Sequence, residues 1–451
     1  MAFFTRKAPV VAVRGIHLDL KGVPPTPRRL LEILDLMAEV RLNAVLVEWE
    51  DMYPWKKHPE LRNETAYTPA QVKRFLAHAR SLGIEVIPLV QSFGHMENVL
   101  LKEKFKHLRE LEDDCRDVCP MKPGSGGVMK ELIDDILETH AGYIERFHLG
   151  GDEAWSLGTC PECRRYVRRH GREGLYLYHI EPLLRHLTAR DVRPILWDDM
   201  MRQWPKRALV RLGRQADLMA WSYANDPFVW LKRSILDRYE AAGVNVWGAS
   251  CFKGADGITI DVPNKKNRME NMLAWSVEAK SRSLVGVVAT GWSRYCSTVA
   301  PCETIESALD MVVLAGVAAW DGDLPADAVR LAGKFLNRGR CARLAGARYR
   351  RCLEAAEALQ AWRNRVPDWM LTAEALCPLV GEVERRNDRH FQQTFEHLET
   401  MMREGERLGR RFVKAFTGLI PAVWLERYVA VRLRQVRRRI DCLRGGWPTK
   451  E

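Results

Sequence analysis

The stretch Phe147-His148-Leu149-Gly150-Gly151-Asp152-Glu153-Ala154-Trp155 is a short apolar strand that runs into two glycines, two adjacent carboxylates and an aromatic ring. Neighbouring negative charges disfavour joint ionisation, so one of the pair tends to keep a proton near neutral pH, as a general acid must. Asp152 and Glu153 are therefore the candidate catalytic groups. The paired glycines allow a sharp turn and a close approach of a ligand to the backbone. Trp155 offers a flat apolar wall suited to a sugar face.

Seven further apolar runs share this design. They are Val10–Leu20, Ala44–Trp49, Glu85–Val90, Pro194–Trp197, Asp217–Trp221, Asn245–Ala249 and Gly286–Thr290, with amphipathic segments such as Arg28–Arg41, Pro69–Leu82, Leu175–Ala189 and Met269–Ala279 between them. Eight strand-helix units predict an α/β fold, a (β/α)8 TIM barrel. An open doubly wound sheet is the runner-up, but no Gly-rich phosphate loop follows the first strand. In a barrel the reacting groups sit just past the strands' carboxyl ends. Those positions hold Glu50, Asp51 and Trp55, then His95, then Asp152 and Glu153, then Trp197, Trp221, Tyr223, Trp292, Arg294 and Tyr295. Tryptophans repeated at strand ends fit a carbohydrate pocket better than scattered core packing.

Past residue 320 the texture becomes helical, so the expected division is a catalytic barrel over 1–320 and an all-α appendage over 321–451, with helices at Ala373–Leu408 and Ala422–Leu443. Of the net charge of +12, +9 falls in 321–451, where 26 Lys/Arg face 17 Asp/Glu. The nearly neutral barrel suits a small-molecule enzyme. The basic run Arg432, Arg434, Arg437, Arg438, Arg439 lacks interleaved aromatics, so no nucleic-acid partner is expected. No apolar run is long enough to span a membrane, and the N-terminus lacks a signal-type apolar stretch, which points to the cytoplasm. Eleven irregularly spaced cysteines fit reduced thiols.

With these residues assembled, the chain resembles glycoside hydrolase family 20, the β-N-acetylhexosaminidases, and among them the cytosolic type. The matching stretches include Arg14-Gly15-Ile16-His17-Leu18-Asp19, Glu48-Trp49-Glu50-Asp51, Gln91-Ser92-Phe93-Gly94-His95, the Asp152-Glu153 stretch, Trp197-Asp198-Asp199 and Gly291-Trp292-Ser293-Arg294-Tyr295. The resemblance implies exo-acting, retaining hydrolysis of terminal β-linked GlcNAc or GalNAc, in which the substrate's own acetamido oxygen is the nucleophile. It implies that Asp152 holds the acetamido N–H and that Glu153 is the acid/base. Arg14 would bind ring hydroxyls, with a structural ion pair to Asp19 or Glu48 as its alternative. His95 would link Glu153 to Glu50 or Asp51. Trp197, Trp221 and Trp292 would box the acetamido methyl and the ring. The sequence departs from the family pattern at Phe93, at Cys251-Phe252-Lys253 where a tyrosine is usual, and at Arg294 where an acid is usual. Tyr223 or Tyr295 would then hold the acetamido carbonyl, and the choice of sugar stays open. The partners implied are glycans ending in N-acetylhexosamine, and a tail reaching a neighbouring barrel would make a homodimer.

This chemistry calls for no cofactor. Cys115 and Cys119, with Cys160 and Cys163, form two close pairs able to hold a structural zinc ion. Two other classes remain: a metal-dependent barrel hydrolase using His95, Asp152 and Glu153 as ligands, and a non-catalytic glycan-binding protein.

Overall fold

The computed structural model of the chain describes residues 4–257, 260–376 and 389–445. Among these residues the strands are β1 (Val13–Asp19), β2 (Ala44–Glu48), β3 (Glu85–Leu89), β4 (Arg109–Leu111), β5 (Asp114–Val118), β6 (Arg146–His148), β7 (Arg193–Trp197), β8 (Asp217–Trp221), β9 (Val246–Lys253) and β10 (Gly286–Gly291). Eight of them close a parallel barrel in the order β1, β2, β3, β6, β7, β8, β9, β10, with β10 pairing back to β1. Each barrel strand coincides with one of the expected apolar runs. β9 runs on to Lys253, past the expected Ala249. The antiparallel ribbon β4–β5, inserted after β3, is not announced by the sequence pattern.

The helices around the barrel are α1 (Pro27–Glu39), α2 (Pro69–Ser81), α3 (Glu97–Leu100), α4 (Ser125–Thr139), α5 (Pro161–Thr188), α6 (Lys206–Gly213), α7 (Arg233–Glu240), α8 (Lys265–Arg282) and α9 (Leu309–Asp321). Local chemistry sets their starts. Thr26 caps α1 ahead of Pro27, and Thr68 with Gln71 closes a capping box on α2. Inside the barrel, Leu46, Ile87, Leu89, Ile195, Trp197, Met219, Trp247, Ala249 and Val288 fill the bore. Parallel strands covered on both faces need apolar residues on both, so they read as continuous runs rather than alternating ones. Each large aliphatic side chain among them contributes about 1.5–3 kcal/mol by leaving water.

Five helices follow: α10 (Ala328–Leu336), α11 (Gly339–Leu344), α12 (Gly346–Leu376), α13 (Arg389–Phe416) and α14 (Ala422–Gly445). Part of the expected helix Ala373–Leu408 lies outside the described residues. The expected boundary at residue 320 divides elements that share one core. Ala328, Ala332, Leu336 and Leu344 belong to the barrel's hydrophobic core, while a second core, with Trp362, Phe412 and Tyr428, is built by α12–α14. This second unit seats on the upper loops of its own barrel. Thr26 N–H donates to Leu419 O at 2.7 Å, and Trp424 Nε1–H donates to Thr65 Oγ1 at 2.9 Å. Buried Asp261 accepts from Arg363 at 2.7 Å, from the Tyr428 hydroxyl at 2.5 Å, and from Arg432. Within the basic run, Arg432 and Arg439 are buried and Arg437 pairs with Glu406, so the run is not one solvated stripe. No helix among the described residues is long and apolar enough to cross a membrane.

Candidate active site

β6 ends at His148, and the chain then turns through Gly150 and Gly151, both at positive φ (61° and 85°). The sequence suggested that these glycines make room for a ligand. The structure gives them protein neighbours instead. A Cβ at Gly150 would overlap the Gln91 side chain, and one at Gly151 would overlap the Tyr176 hydroxyl. That hydroxyl donates to Gly151 O at 2.8 Å. Glu153 itself sits at φ 46°, a conformation costing on the order of 1 kcal/mol or more outside glycine. Its N–H is held by Asp199 Oδ2 at 3.0 Å. His95, also at positive φ (54°), comes from the loop after β3. Its Nε2 lies 3.3 Å from Glu153 Oε2 and 3.6 Å from Asp152 Oδ2, so one imidazole nitrogen bridges the two carboxylates.

The electrostatics follow from this crowding. Burial lifts the Asp152 carboxyl to about 8, with Asp199 and Glu153 adding repulsion and His95 only partly opposing it. Burial works against the His95 cation, but Asp152, Glu153 and Glu97 outweigh it and raise His95 to about 10. Asp199 is raised by burial to about 6. Near neutral pH the cluster therefore favours a protonated Asp152 carboxyl beside a His95 cation.

These groups open into a cavity of about 300 Å³ lined by His95, Asp152, Glu153, Trp221, Tyr223, Gly254, Ala255, Gly257, Trp292, Arg294, Tyr295 and Cys302. Eight of the expected site residues thus meet. Trp221 stacks on Tyr223 at 5.2 Å between ring centres and donates its Nε1–H to Asp199 at 3.3 Å. Burial keeps the Tyr223 phenol protonated, well above its usual range. Tyr295 stands at the rim, 57% exposed. Arg294 lies over the Trp424 ring of α14 at 5.3 Å, and its arm occupies the space a side chain at position 22 would need, so Gly22 makes room for it.

Other expected residues lie elsewhere. Arg14 is the second residue of β1, at the opposite end of the barrel. Its guanidinium donates to the carbonyls of Arg41 (3.0 Å), Val11 (2.8 Å) and Ala12 (2.6 Å) and packs over Trp320. Five residues of strand, about 16 Å, separate it from the mouth. Trp197 is fully buried, 6.0 Å from Trp292, and is not among the residues that line the cavity. Trp155 points outward, 61% exposed. Glu50 accepts from Ser297 Oγ and lines a smaller neighbouring space with Gln91 and His95. Burial holds its carboxyl well above the usual range. The carboxylates paired with His95 are Asp152 and Glu153 rather than Glu50 or Asp51. Lys253, on the departing Cys251-Phe252-Lys253 stretch, donates to Trp292 O, Ser293 Oγ and Glu303 O, so it fixes the loop after β10.

Sequence reasoning missed Asp199 as a site residue. The doublet Asp198-Asp199 was visible, but only packing divides its roles. Asp198 takes a bidentate pair from Arg202 at 2.9 Å, while Asp199 turns to Glu153. The expected four-cysteine cluster is also revised. Cys119, Cys160 and Cys163 converge with Glu110, and Cys115 is not among them. Four residues of extended ribbon span about 13 Å, so Cys115 and Cys119 do not reach one ion.

Residues 12–304 match the model of the glycosyl hydrolase family 20 catalytic domain. The chain is 34% identical over 322 residues to hexosaminidase D of Bos taurus, covering 69% of this chain and 93% of that protein. It is 36% identical over 304 residues to hexosaminidase D of Homo sapiens, covering 65% of this chain and 62% of that one. Among solved structures, a Flavobacterium johnsoniae chitobiase superposes on 97% of this chain and 72% of its own, with a TM-score of 0.58 at 14% identity. A β-N-acetylhexosaminidase from Bacteroides fragilis superposes on 73% of this chain and 70% of its own, with a TM-score of 0.56 at 16% identity. At these identities the structural likeness speaks for the fold.

Proposed function

The chain belongs to glycosyl hydrolase family 20 and is a glycoside hydrolase acting on hexosamines, and from that premise we propose that it removes a single terminal β-linked N-acetylhexosamine with retention, through substrate-assisted catalysis. The observation that carries the proposal is the adjacent pair Asp152-Glu153 bridged by one His95 nitrogen in an aromatic-walled cavity. At about 300 Å³ the cavity is at the lower end of ligand pockets, which run to about 1,000 Å³, and it suits one sugar rather than a chain segment.

In this reading Glu153 protonates the glycosidic oxygen while the substrate's acetamido oxygen attacks C1. The C1–O bond breaks and an oxazolinium ion forms. Asp152, as carboxylate, accepts the acetamido N–H and offsets the positive charge. Water then attacks C1, Glu153 takes its proton, and the five-membered ring reopens. Two inversions at C1 leave the configuration retained. The intramolecular attack gains from proximity.

The proton inventory gives His95 its task. Burial favours the proton on Asp152, whereas the reaction uses one on Glu153. When an acetamido N–H approaches, His95 Nε2 gives its proton to Glu153 and takes that of Asp152. Its 3.3 and 3.6 Å separations suit both transfers after small movements. Tyr223, half-buried with its phenol held protonated, is the donor best placed for the acetamido carbonyl. Trp221 and Trp292 would stack on the sugar, with Arg294 reaching its hydroxyls.

The test uses p-nitrophenyl β-GlcNAc and β-GalNAc glycosides carrying mono-, di- and trifluoroacetamido groups. Rates should fall steeply with each fluorine, because the nucleophilic oxygen weakens, and Glu153→Gln should lose turnover of all of them. A rate indifferent to fluorination, or an α anomer as the first product seen by NMR, refutes substrate assistance. The ratio of the two parent rates sets the sugar preference.

A further inference from the structure

The catalytic account leaves four buried groups unused. Glu110 on β4, Cys119 just after β5, and Cys160 and Cys163 at the start of α5 aim one donor atom each at a common point, all within 4.8 Å of one another. No other group of metal-capable side chains is so arranged among the described residues. From this convergence we propose that the chain binds one structural zinc ion through Cys119, Cys160, Cys163 and Glu110.

The spacing fits a cation better than a disulfide. Cys119 Sγ lies 3.7 Å from Cys160 Sγ and 3.5 Å from Cys163 Sγ. Tetrahedral zinc with Zn–S bonds of about 2.3 Å puts its sulfurs about 3.8 Å apart, whereas a disulfide bond measures about 2.05 Å and uses only two sulfurs. Here three sulfurs share a centre, and the carboxylate closes the fourth vertex, with Glu110 Oε2 3.2 Å from Cys163 Sγ. Thiolates select a thiophilic ion, and an oxygen as fourth donor favours zinc over copper(I).

The surroundings are built for negative charge. Glu110 Oε1 accepts N–H bonds from Gly158 at 3.1 Å and Cys160 at 2.9 Å, and Cys160 Sγ accepts the Cys163 N–H at 3.3 Å. Cys160 caps α5, so the positive end of that helix faces the cluster. Four protein donors leave no open position, which makes the site structural rather than catalytic.

Its place gives it a purpose. It ties the ribbon β4–β5 to the loop that carries Asp152 and Glu153. Asp117, two residues before Cys119, extends the tie by accepting from Ser156 N and Ser156 Oγ, both at 2.7 Å. The ion would therefore brace the catalytic loop without touching substrate.

The test measures zinc in the full chain, purified without chelator, by releasing it with a mercurial in the presence of a chromogenic zinc indicator. The expected result is one zinc per chain in the wild type and in Cys115→Ser, and below about a tenth in Cys163→Ser and Cys119→Ser. Refilling the stripped wild type with cobalt(II) should give the visible absorption of a tetrahedral thiolate site. That readout keeps the proposal testable if a cysteine variant does not fold. Zinc removal should lower Tm, and zinc alone should restore it. A wild type that neither carries zinc nor takes it up at micromolar concentration overturns the proposal, as does a Cys115→Ser variant that loses it. Loss of two titratable thiols without any metal would overturn it in favour of a disulfide. None of these outcomes depends on the hydrolase being active.

Discussion

Gly94 tests how the catalytic loop is held. A Cβ at this position would lie far inside van der Waals contact of Asp152 O and 3.3 Å from both Ala154 N and Glu153 C. Gly94 is not among the residues at positive φ, so alanine is allowed by the backbone and the overlap is the whole effect. Asp152 O is a backbone atom and cannot swing aside as a side-chain tip would. The loop must retreat by roughly 1 Å to regain normal contact, which moves Asp152 and Glu153 relative to His95. A displacement of that size costs on the order of 100-fold in rate, about 2.7 kcal/mol of transition-state stabilisation. Gly94→Ala should therefore lose about 100-fold in kcat with little change in KM, while overpacking costs about 1–3 kcal/mol of stability and leaves a folded protein. The assay is steady-state hydrolysis of a p-nitrophenyl N-acetylhexosaminide beside a thermal melt. Gly127→Ala, on α4 with nothing within 4 Å, is the control and should keep kcat without lowering Tm. A folded Gly94→Ala enzyme with wild-type kcat would refute the claim that this contact positions the carboxylates.

Four further predictions concern charge, the acetamido carbonyl donor and the helical unit. Asp152 binds its proton more tightly when folded (about 8) than when unfolded (near 3.8), so between those values rising pH destabilises the native state by up to about 1.4 kcal/mol per pH unit. Asp152→Asn should melt higher than wild type at pH 7, with the gap closing towards pH 4; equal melting at both pH values would contradict the raised carboxyl. Wild-type kcat/KM should fall as pH rises through about 8, where the cluster loses the proton destined for the leaving group. Tyr223→Phe should lose on the order of 100-fold in kcat, as for one lost oxyanion-type donor, whereas Tyr295→Phe at the rim should stay close to wild type; the reverse ranking would reassign the carbonyl donor. Asp261→Ala should strand the buried Arg432 cation at a cost of about 3–5 kcal/mol. Calorimetry should then separate an early transition of α12–α14 from that of the barrel, and a single unshifted transition would argue against Asp261 as the docking centre.

The barrel was legible because its signal is local. Apolar runs such as Glu85–Val90 and Gly286–Thr290 are strands buried on both faces, and each run carries its own evidence within about six residues. The Asp152-Glu153 doublet and the strand-end aromatics were legible for the same reason, since adjacency and position past a strand are properties of the chain itself. What the sequence could not express is which distant groups meet. Arg14 and Arg294 are both arginines near barrel strands, yet one binds carbonyls at the closed end and the other lines the cavity. Cys115 and Glu110 differ only in which way the ribbon β4–β5 presents them, and β4–β5 itself has no distinctive pattern. Gly150 and Gly151 are required by Gln91 and Tyr176, which lie 59 and 25 residues away in the chain. Hydrophobic period and charge adjacency are written over a few residues and survive in any chain that keeps its pattern. Pairings across tens of residues depend on strand register, side-chain direction and the packing of whole loops, and those exist only once the chain has closed on itself.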